Sequence, residues 1–199
     1  MADEIKRGTE VAMIDAALVV MRTKSGKKLG LDTASQVEVA IASETTDAVK
    51  LIIKGKLKAQ KKAKTTVTGH TITLTDNVFN YEEAQILQGG TIYYWTSAEK
   101  TDKSAAKTEF GIAGYEPPVA GSGETGEAFD LDIYSAVYGA DGEIANYQKV
   151  TYPNCTGNPF GVGAQDDTFY VGSITIDSAP ATGQAPYSIE TVDKLPVVS

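Results

Sequence analysis

The chain has 199 residues, 42% of them hydrophobic, which suits one domain with a core of ordinary size. Its formal net charge of −8 disfavours a protein that grips nucleic acid, because an acidic body repels phosphate. No stretch approaches the roughly 20 apolar residues of a membrane helix, and the acidic first residues predict no secretory signal. The single cysteine, Cys155, cannot form an internal disulfide, which fits synthesis in a reducing cytosol.

Residues 1–10 are expected to form an N-terminal arm, and residues 11–199 a single β domain. Alternating apolar and polar residues predict strands through the first half of the chain. Gln36–Ser43 and Val49–Ala59 are expected to pair as a long hairpin with one buried and one charged face, followed by a loop at Gln60–Lys64. The predicted strands of the first half are Val11–Met21, Lys28–Leu31, Gln36–Ser43, Val49–Ala59 and Thr65–Thr75.

One short helix is predicted at about residues 80–89. Asn80 can cap it, and Glu83 lies at the reciprocal position of a capping box. Gly89 and Gly90 are expected to end it, because glycine adopts positive φ at little cost.

Strands resume after the helix and are separated by long loops. Asp141-Gly142 between two alternating runs is a strong hairpin signal. The pattern as a whole predicts a mainly β fold, an antiparallel sandwich or barrel with one short flanking helix, an extended N-terminal arm and long loops. The predicted strands of the second half are Ile92–Trp95, Phe110–Tyr115, Ala128–Tyr138, Ile144–Tyr152, Phe169–Ile176 and Tyr187–Leu195.

The residues that could carry catalysis are few. His70 is the only histidine, and no G-x-S-x-G nucleophile motif accompanies it, so an ordinary strand or turn histidine is favoured over a catalytic one. Cys155 could be a reactive thiol beside a cation or a helix N-terminus, but a small packed residue at a strand end is favoured. One cysteine and one histidine cannot assemble a usual zinc site.

Two pairs of aspartates could bind calcium or act as acid and base. Asp130 and Asp132 are spaced i, i+2, and Asp166 and Asp167 are adjacent. Because Asp130 and Asp132 also fit the solvent face of an amphipathic strand, that interpretation is favoured. We therefore expect no catalytic residue, no metal and no cofactor.

A run of lysines is the best candidate for a specific contact. No acidic residue occurs between Asp47 and Asp76. A nucleic-acid site would have aromatic residues interleaved with the lysines for base stacking, and none occurs here. A solvated face or an inter-subunit salt-bridge surface is favoured over direct DNA contact. The candidate inter-subunit or lumen residues are Lys50, Lys54, Lys56, Lys58, Lys61, Lys62, Lys64, Glu38, Glu44 and Asp47.

Three stretches, taken in this order, resemble the major tail tube proteins of tailed bacteriophages, of the siphophage type. The first, Ile72–Gly90, reads ITLTDNVFNYEEAQILQGG and contains the strand, turn, helix and Gly-Gly end. The second is Phe129–Cys155, FDLDIYSAVYGADGEIANYQKVTYPNC. The third is Thr168–Tyr187, TFYVGSITIDSAPATGQAPY. The resemblance covers about residues 70–195.

The resemblance implies a structural virion protein that is not an enzyme. In that family six subunits form a ring, and the rings stack into a tube through which double-stranded DNA is ejected without specific binding. Implied partners are other copies of the chain and the tape measure, tail terminator and distal tail proteins, with no membrane. The protein would be made in the bacterial host cytoplasm and reside in the tail. Gln36–Ala59 and Thr65–Thr75 are expected to contribute to the inner sheet.

Two other classes stay open. An immunoglobulin-like binding or capsid-decoration module would expose a loop cluster and would not polymerise. A jelly-roll or barrel enzyme is disfavoured by the scarcity of catalytic residues.

Within the tail tube resemblance, the length of the chain and the lack of a sheath-like signal favour a flexible, non-contractile tail over a contractile one.

Overall fold

The computed structural model describes residues 13–163 and 172–198, so the expected arm at residues 1–10 and the pair Asp166–Asp167 lie outside the described residues. Strands alternate with loops and one short helix. The elements are β1 (Met13–Thr23), β2 (Lys28–Leu31), β3 (Ala34–Thr46), β4 (Val49–Ile53), β5 (Lys56–Lys61), β6 (Lys64–Asp76), α1 (Tyr81–Gln88), β7 (Thr91–Trp95), β8 (Lys103–Ser104), β9 (Ile112–Glu116), β10 (Phe129–Tyr138), β11 (Ile144–Gly157), β12 (Gly172–Ser178) and β13 (Ser188–Val192).

Eight of these strands form one antiparallel sheet in the order β2-β1-β10-β11-β12-β6-β3, with β13 added to β11. The sheet does not close into a barrel, because its order ends at β2 and at β3. The two ends nevertheless approach each other, since β1 and β3 lie in contact without being neighbours in the strand order. Two smaller sheets, β8-β7-β9 and β4-β5, lie outside it.

The curled sheet wraps one apolar core. Buried side chains from both ends of the strand order and from α1 belong to the same cluster, which includes Met21, Leu31, Leu74 and Phe129. The predicted mainly β, antiparallel class with one short helix is therefore confirmed. Among the described residues, no helix is long and apolar enough to cross a membrane.

The predicted hairpin of Gln36–Ser43 with Val49–Ala59 is wrong. β3 pairs instead with β6, from Ala34 opposite Asp76 to Thr46 opposite Lys64. Val49–Ala59 is not one strand but folds back on itself as β4 and β5, and the loop expected at Gln60–Lys64 is shortened to residues 62 and 63. The turn lies at Lys54 and Gly55, whose φ angles of 49° and 74° are typical of a two-residue type I′ turn.

Helix α1 begins and ends as predicted. The Asn80 side-chain oxygen accepts hydrogen bonds from the N–H groups of Glu82 at 2.9 Å and Glu83 at 3.3 Å. Gly89 and Gly90, with φ angles of 83° and 87°, follow the last helical residue. Glu83 does not complete the capping box, because its side chain is buried and its Oε1 atom has no hydrogen-bond partner.

Strand β11 is longer than the predicted Ile144–Tyr152. Its pairing with β10 shifts between Tyr152 and Cys155, and Asn154 there has a φ of 50°. Such a bulge tolerates Pro153, which has no N–H to donate to a sheet. Beyond the bulge the strand pairs with β12, which links the two halves of the sheet.

The close fit of α1 against β11 depends on Gly157. A Cβ atom at this position would lie 2.6 Å from the Leu87 Cα and 2.6 Å from its Cβ, closer than packed atoms approach. Gly114, in β9, has open space at the same position.

We therefore expect Gly157→Ala to lower the free energy of unfolding by about 1–3 kcal/mol, because overpacking forces the helix away from the sheet. Gly114→Ala should change it by less than about 0.5 kcal/mol. Urea denaturation of the two variants measures the difference, and equal effects would show that the helix seat is not tightly packed.

Candidate interaction surface

The longest exposed segment among the described residues is 41–68. It is here called the arm, and it is distinct from the N-terminal arm expected at residues 1–10. It comprises the outer parts of β3 and β6 and the whole of the β4–β5 hairpin. Every residue of the arm is exposed except Ala42, which is half-buried. At about 3.3 Å per residue, a straight ribbon from Ile41 to Ile53 spans at most about 40 Å. The arm is thus a two-stranded projection that makes little contact with the core of its own chain.

Apolar side chains lie on both faces of the arm's outer hairpin. The register places Leu51 opposite Ala59 and Ile52 opposite Leu57, and directly opposite residues lie on the same face of a sheet. Because Leu51 and Ile52 are consecutive in β4, these two pairs lie on opposite faces, and Val49 shares the face of Leu51. Val49 is 63% exposed, Ile52 59% and Leu57 56%, so the described chain does not cover these side chains.

The lysines are also divided between the two faces. Lys50 and its partner Gln60 share the face of Ile52, whereas Lys56 is opposite Ile53 on the face of Leu51. The sequence predicted Leu57 on the face of Leu51 and Lys56 on the other face, and this is wrong because β5 has one extra residue where the register shifts between Leu51 and Ile52. The predicted buried face is also exposed, since nothing in the described chain packs against it.

Strand β3 adds an unpaired backbone edge at the base of the arm. It is the last strand of the sheet order and, among the described residues, pairs with β6 alone, so the described chain provides no strand for its other edge. Val39 and Ile41 on this strand are 41% and 68% exposed. Long edge strands with exposed apolar side chains are templates for pairing with another chain.

The arm and the remainder of the molecule carry opposite charges. The arm has seven lysines and two acids, Glu44 and Asp47, whereas the rest of the sequence has eleven basic and twenty-four acidic residues. All seven lysines are exposed, and none takes part in an ion pair within the described chain. Glu38 lies just before the arm on β3 and accepts a hydrogen bond from Gln36. The structure therefore brings all ten candidate contact residues onto one projecting ribbon and its base.

This arrangement is suited to binding a partner. The uncovered apolar side chains favour a partner with an apolar surface, the unpaired edge of β3 favours a partner strand, and the lysines favour acidic side chains. All three requirements lie on the same element, so one partner can satisfy them together.

The residues considered for catalysis are packed in the body of the molecule. His70, on β6, is buried against the rings of Tyr152 and Tyr187, with centroid distances of 5.1 and 5.6 Å, and burial lowers its pKa. Cys155 is buried, its thiol donates to the Tyr152 carbonyl at 3.3 Å, and burial raises its pKa to about 12. Such a thiol is not a nucleophile near neutral pH.

The interpretation of Asp132 as a solvent-facing aspartate is wrong. Asp132 is 3% exposed, and Arg22 binds both of its oxygens, at 2.6 and 3.0 Å. The Thr151 hydroxyl donates to it at 2.6 Å. Asp130 accepts the Asn154 N–H across the β11 bulge. Both aspartates thus stabilise the sheet, and the part of the chain that the structure describes has no group of three or more metal-ligand side chains.

Sequence reasoning missed two features of this surface and its surroundings. The turn at Lys54-Gly55 has a signal, because a glycine inside an alternating run marks a reversal or a bulge. The burial of Glu83 and of Asp76 has no sequence signal, since acidic side chains in a first helical turn and at a strand end are ordinarily solvated.

Comparisons with known proteins give little for this chain. No protein-family model matches it, and no curated protein matches it. A cryo-EM structure of the anti-feeding prophage cap, described as a tube terminating cap, is similar over 96% of this chain and 97% of that chain. The sequence identity is 13% and the TM-score is 0.37. A likeness of this size does not establish a shared fold, so the functional proposal depends on the features of the chain itself.

Because the exposed apolar side chains of the arm are not part of the core, we expect the double change Leu51→Ser and Leu57→Ser to leave the isolated fold intact. Its free energy of unfolding should stay within about 0.5 kcal/mol of the parent. The buried Leu74→Ser should instead cost about 3 kcal/mol or more. Urea denaturation of dilute protein tests this, and a large loss in the arm variant would mean that the arm supports the core.

Proposed function

We propose that the protein is a structural subunit that polymerises with copies of itself into the tail tube of a bacteriophage. The observation that carries the proposal is the set of uncovered apolar side chains on the arm beside the edge of β3 that the described chain leaves unpaired. The three stretches that resemble major tail tube proteins agree with it. In this proposal the copies form stacked rings, six subunits to a ring, and the tube is the conduit through which double-stranded DNA is ejected.

The geometry of the edges supports assembly of one chain with itself. A strand edge that pairs with a different edge of the next copy makes a heterologous contact, which closes into a ring when the rotation allows. A second contact along the axis then propagates without closing and gives a filament. The arm, which projects from the sheet, supplies such an axial contact, and β3 supplies a lateral one.

Magnitudes favour many simultaneous contacts over a single pair. The arm carries seven large apolar side chains that are about half exposed, and completing the burial of each is worth about 1 kcal/mol. Their sum is comparable to the lower part of the roughly 4–15 kcal/mol that association costs. A dimer held by one arm is therefore weak, whereas a ring in which every copy gives and receives contacts is stable. Those side chains are Ile41, Val49, Leu51, Ile52, Ile53, Leu57 and Val67.

Charge segregation explains how a protein of net charge −8 associates with itself. In the proposal the arm lysines meet acidic side chains of the next copy, which offsets the repulsion between acidic bodies. The acidic remainder lines the tube, so DNA passes without lysine–phosphate pairs that would have to break at each step. The lysines of β4 and β5 disfavour a position of that hairpin in the lumen.

The same proposal gives the partners and the place of action. The tape measure protein would occupy the tube during assembly, and the tail terminator and distal tail proteins would bind its two ends. The protein would be a virion component with no catalytic role. If the chain never polymerises, the alternative hypothesis is a capsid-decoration or immunoglobulin-like binding module.

We expect the concentrated protein to form rings or tubes, and Leu51→Ser with Leu57→Ser to abolish them, because the arm then lacks an apolar contact. Val119→Ser with Val162→Ser is the matched control, since both valines are exposed but lie outside the arm. Negative-stain electron microscopy and sedimentation velocity measure assembly. A parent chain that stays monomeric at all concentrations, or an arm variant that assembles normally, contradicts the proposal.

A second test concerns the lysines. Replacing Lys54, Lys56 and Lys58 by serine should raise the concentration required for assembly at least several-fold and reduce its sensitivity to salt. The control replaces Lys28, Lys100 and Lys107, which are exposed, lie outside the arm and change the net charge equally. Turbidity or sedimentation across a salt series separates the two, and equal behaviour of both triple variants would remove the lysines from the interface.

A further inference from the structure

Two acidic side chains are buried where the helix meets the main sheet. Asp76 is the last residue of β6 and is 1% exposed, and Glu83, in the first turn of α1, is 2% exposed. One oxygen of each, Oδ2 of Asp76 and Oε1 of Glu83, is fully buried and has no hydrogen-bond partner. Two buried carboxyl groups with unpaired oxygens are costly unless at least one of them is uncharged.

The hydrogen bonds around the pair distinguish the two groups. The other Asp76 oxygen accepts the Thr33 hydroxyl at 2.5 Å and the Val78 N–H at 3.2 Å. These donors stabilise a negative charge on Asp76. The buried Oε1 atom of Glu83 has no such donor to compensate a negative charge. Glu83 is therefore the member of the pair that gains from holding a proton.

The charged and titratable groups on the surrounding elements do not neutralise Glu83. On α1 itself, Glu82 is exposed and pairs with Lys27 of the β1–β2 turn at 4.0 Å. Burial, and after it the negative charge of Asp76, raises the pKa of Glu83 to about 8. The Tyr115 hydroxyl, on β9, donates to carbonyls at the end of the helix. The remaining charged side chains nearby are exposed: Lys28 on β2, Asp32 after it, and Glu124 and Glu127 in the loop before β10.

We propose that Glu83 is a proton-dependent latch: it is held as a neutral acid beside the Asp76 carboxylate, and this keeps the first turn of α1 seated on the end of β6. Loss of the proton places two negative charges in one buried site, and the start of the helix moves out to solvate Glu83. Because α1 packs closely on Gly126 and Gly157, its movement loosens that side of the core. This inference is independent of the proposed function, since it concerns the isolated chain.

The sign of the pH dependence follows from the raised pKa. An unfolded glutamate has a pKa of about 4.3, so between that value and about 8 the folded chain binds one more proton than the unfolded chain. As the pH rises through this window, the unfolding equilibrium constant increases up to about tenfold per pH unit. Above pH 8 this dependence ends, and the folded chain itself loses the latch.

The direct test is a pH titration of the glutamate side-chain carboxyl carbons by NMR, with Glu83→Gln used to assign the signal. We expect a midpoint between about pH 7 and 9, and a fall in hydrogen-exchange protection of the Ala84–Leu87 amides across the same range. A midpoint near 4.3 overturns the proposal. Protection that is unchanged through the midpoint also overturns it, because the group would then titrate without moving the helix.

Denaturation of variants gives a second, independent test. Glu83→Gln keeps the shape and lacks the charge, so its stability should not fall from pH 5 to 8 as that of the parent does. Glu82→Gln, the exposed neighbour, should follow the parent. If Glu83→Gln does not fold, the Glu83 carboxyl signal is assigned through its own backbone amide by triple-resonance NMR, and the titration of the parent decides. A parent and a Glu83→Gln variant with the same pH profile contradict the latch.

Discussion

A two-stranded β ribbon has no second layer packed against it, so it cannot bury its apolar side chains by itself. This constraint determines what the arm of the molecule requires from a partner. The arm presents Leu51 on one face of such a ribbon and Ile52 and Leu57 on the other, all about half exposed. Isolated two-stranded hairpins are marginal in water. An arm of this composition is therefore explained by a surface that another molecule supplies.

The rest of the fold forms its core without side chains from the arm. The curled sheet and α1 complete a core that includes Leu74 and Phe129, and this core does not require the arm. The buried Asp132 in the body has partners that hold the sheet together, Arg22 among them. The body is acidic and the arm is basic, so identical chains repel through their bodies and attract through their arms. Stability of the subunit and affinity for a partner are thus placed on different parts of the chain.

Much of this was predictable from local signals, and the remainder depended on long-range pairing. The cap at Asn80, the glycines after α1 and the Asp141-Gly142 hairpin follow from short patterns whose physics is local. The pairing of β3 with β6 was missed because alternation gives the faces of a strand but not its partner. The continuation of β11 past Pro153 required a bulge, which depends on the neighbouring strands. The ten charged candidates were found together because they are close in sequence, whereas the apolar side chains between them were taken for core.

Hydrogen–deuterium exchange of the arm, compared between dilute and concentrated protein, tests the central claim most directly. If the arm is completed by a neighbouring copy, amides within residues 41–68 exchange quickly in the dilute chain and become strongly protected on concentration, while the amides of β10 change little. Rapid exchange in the arm at every concentration, with or without visible assembly, would show that the arm is not the surface through which copies join.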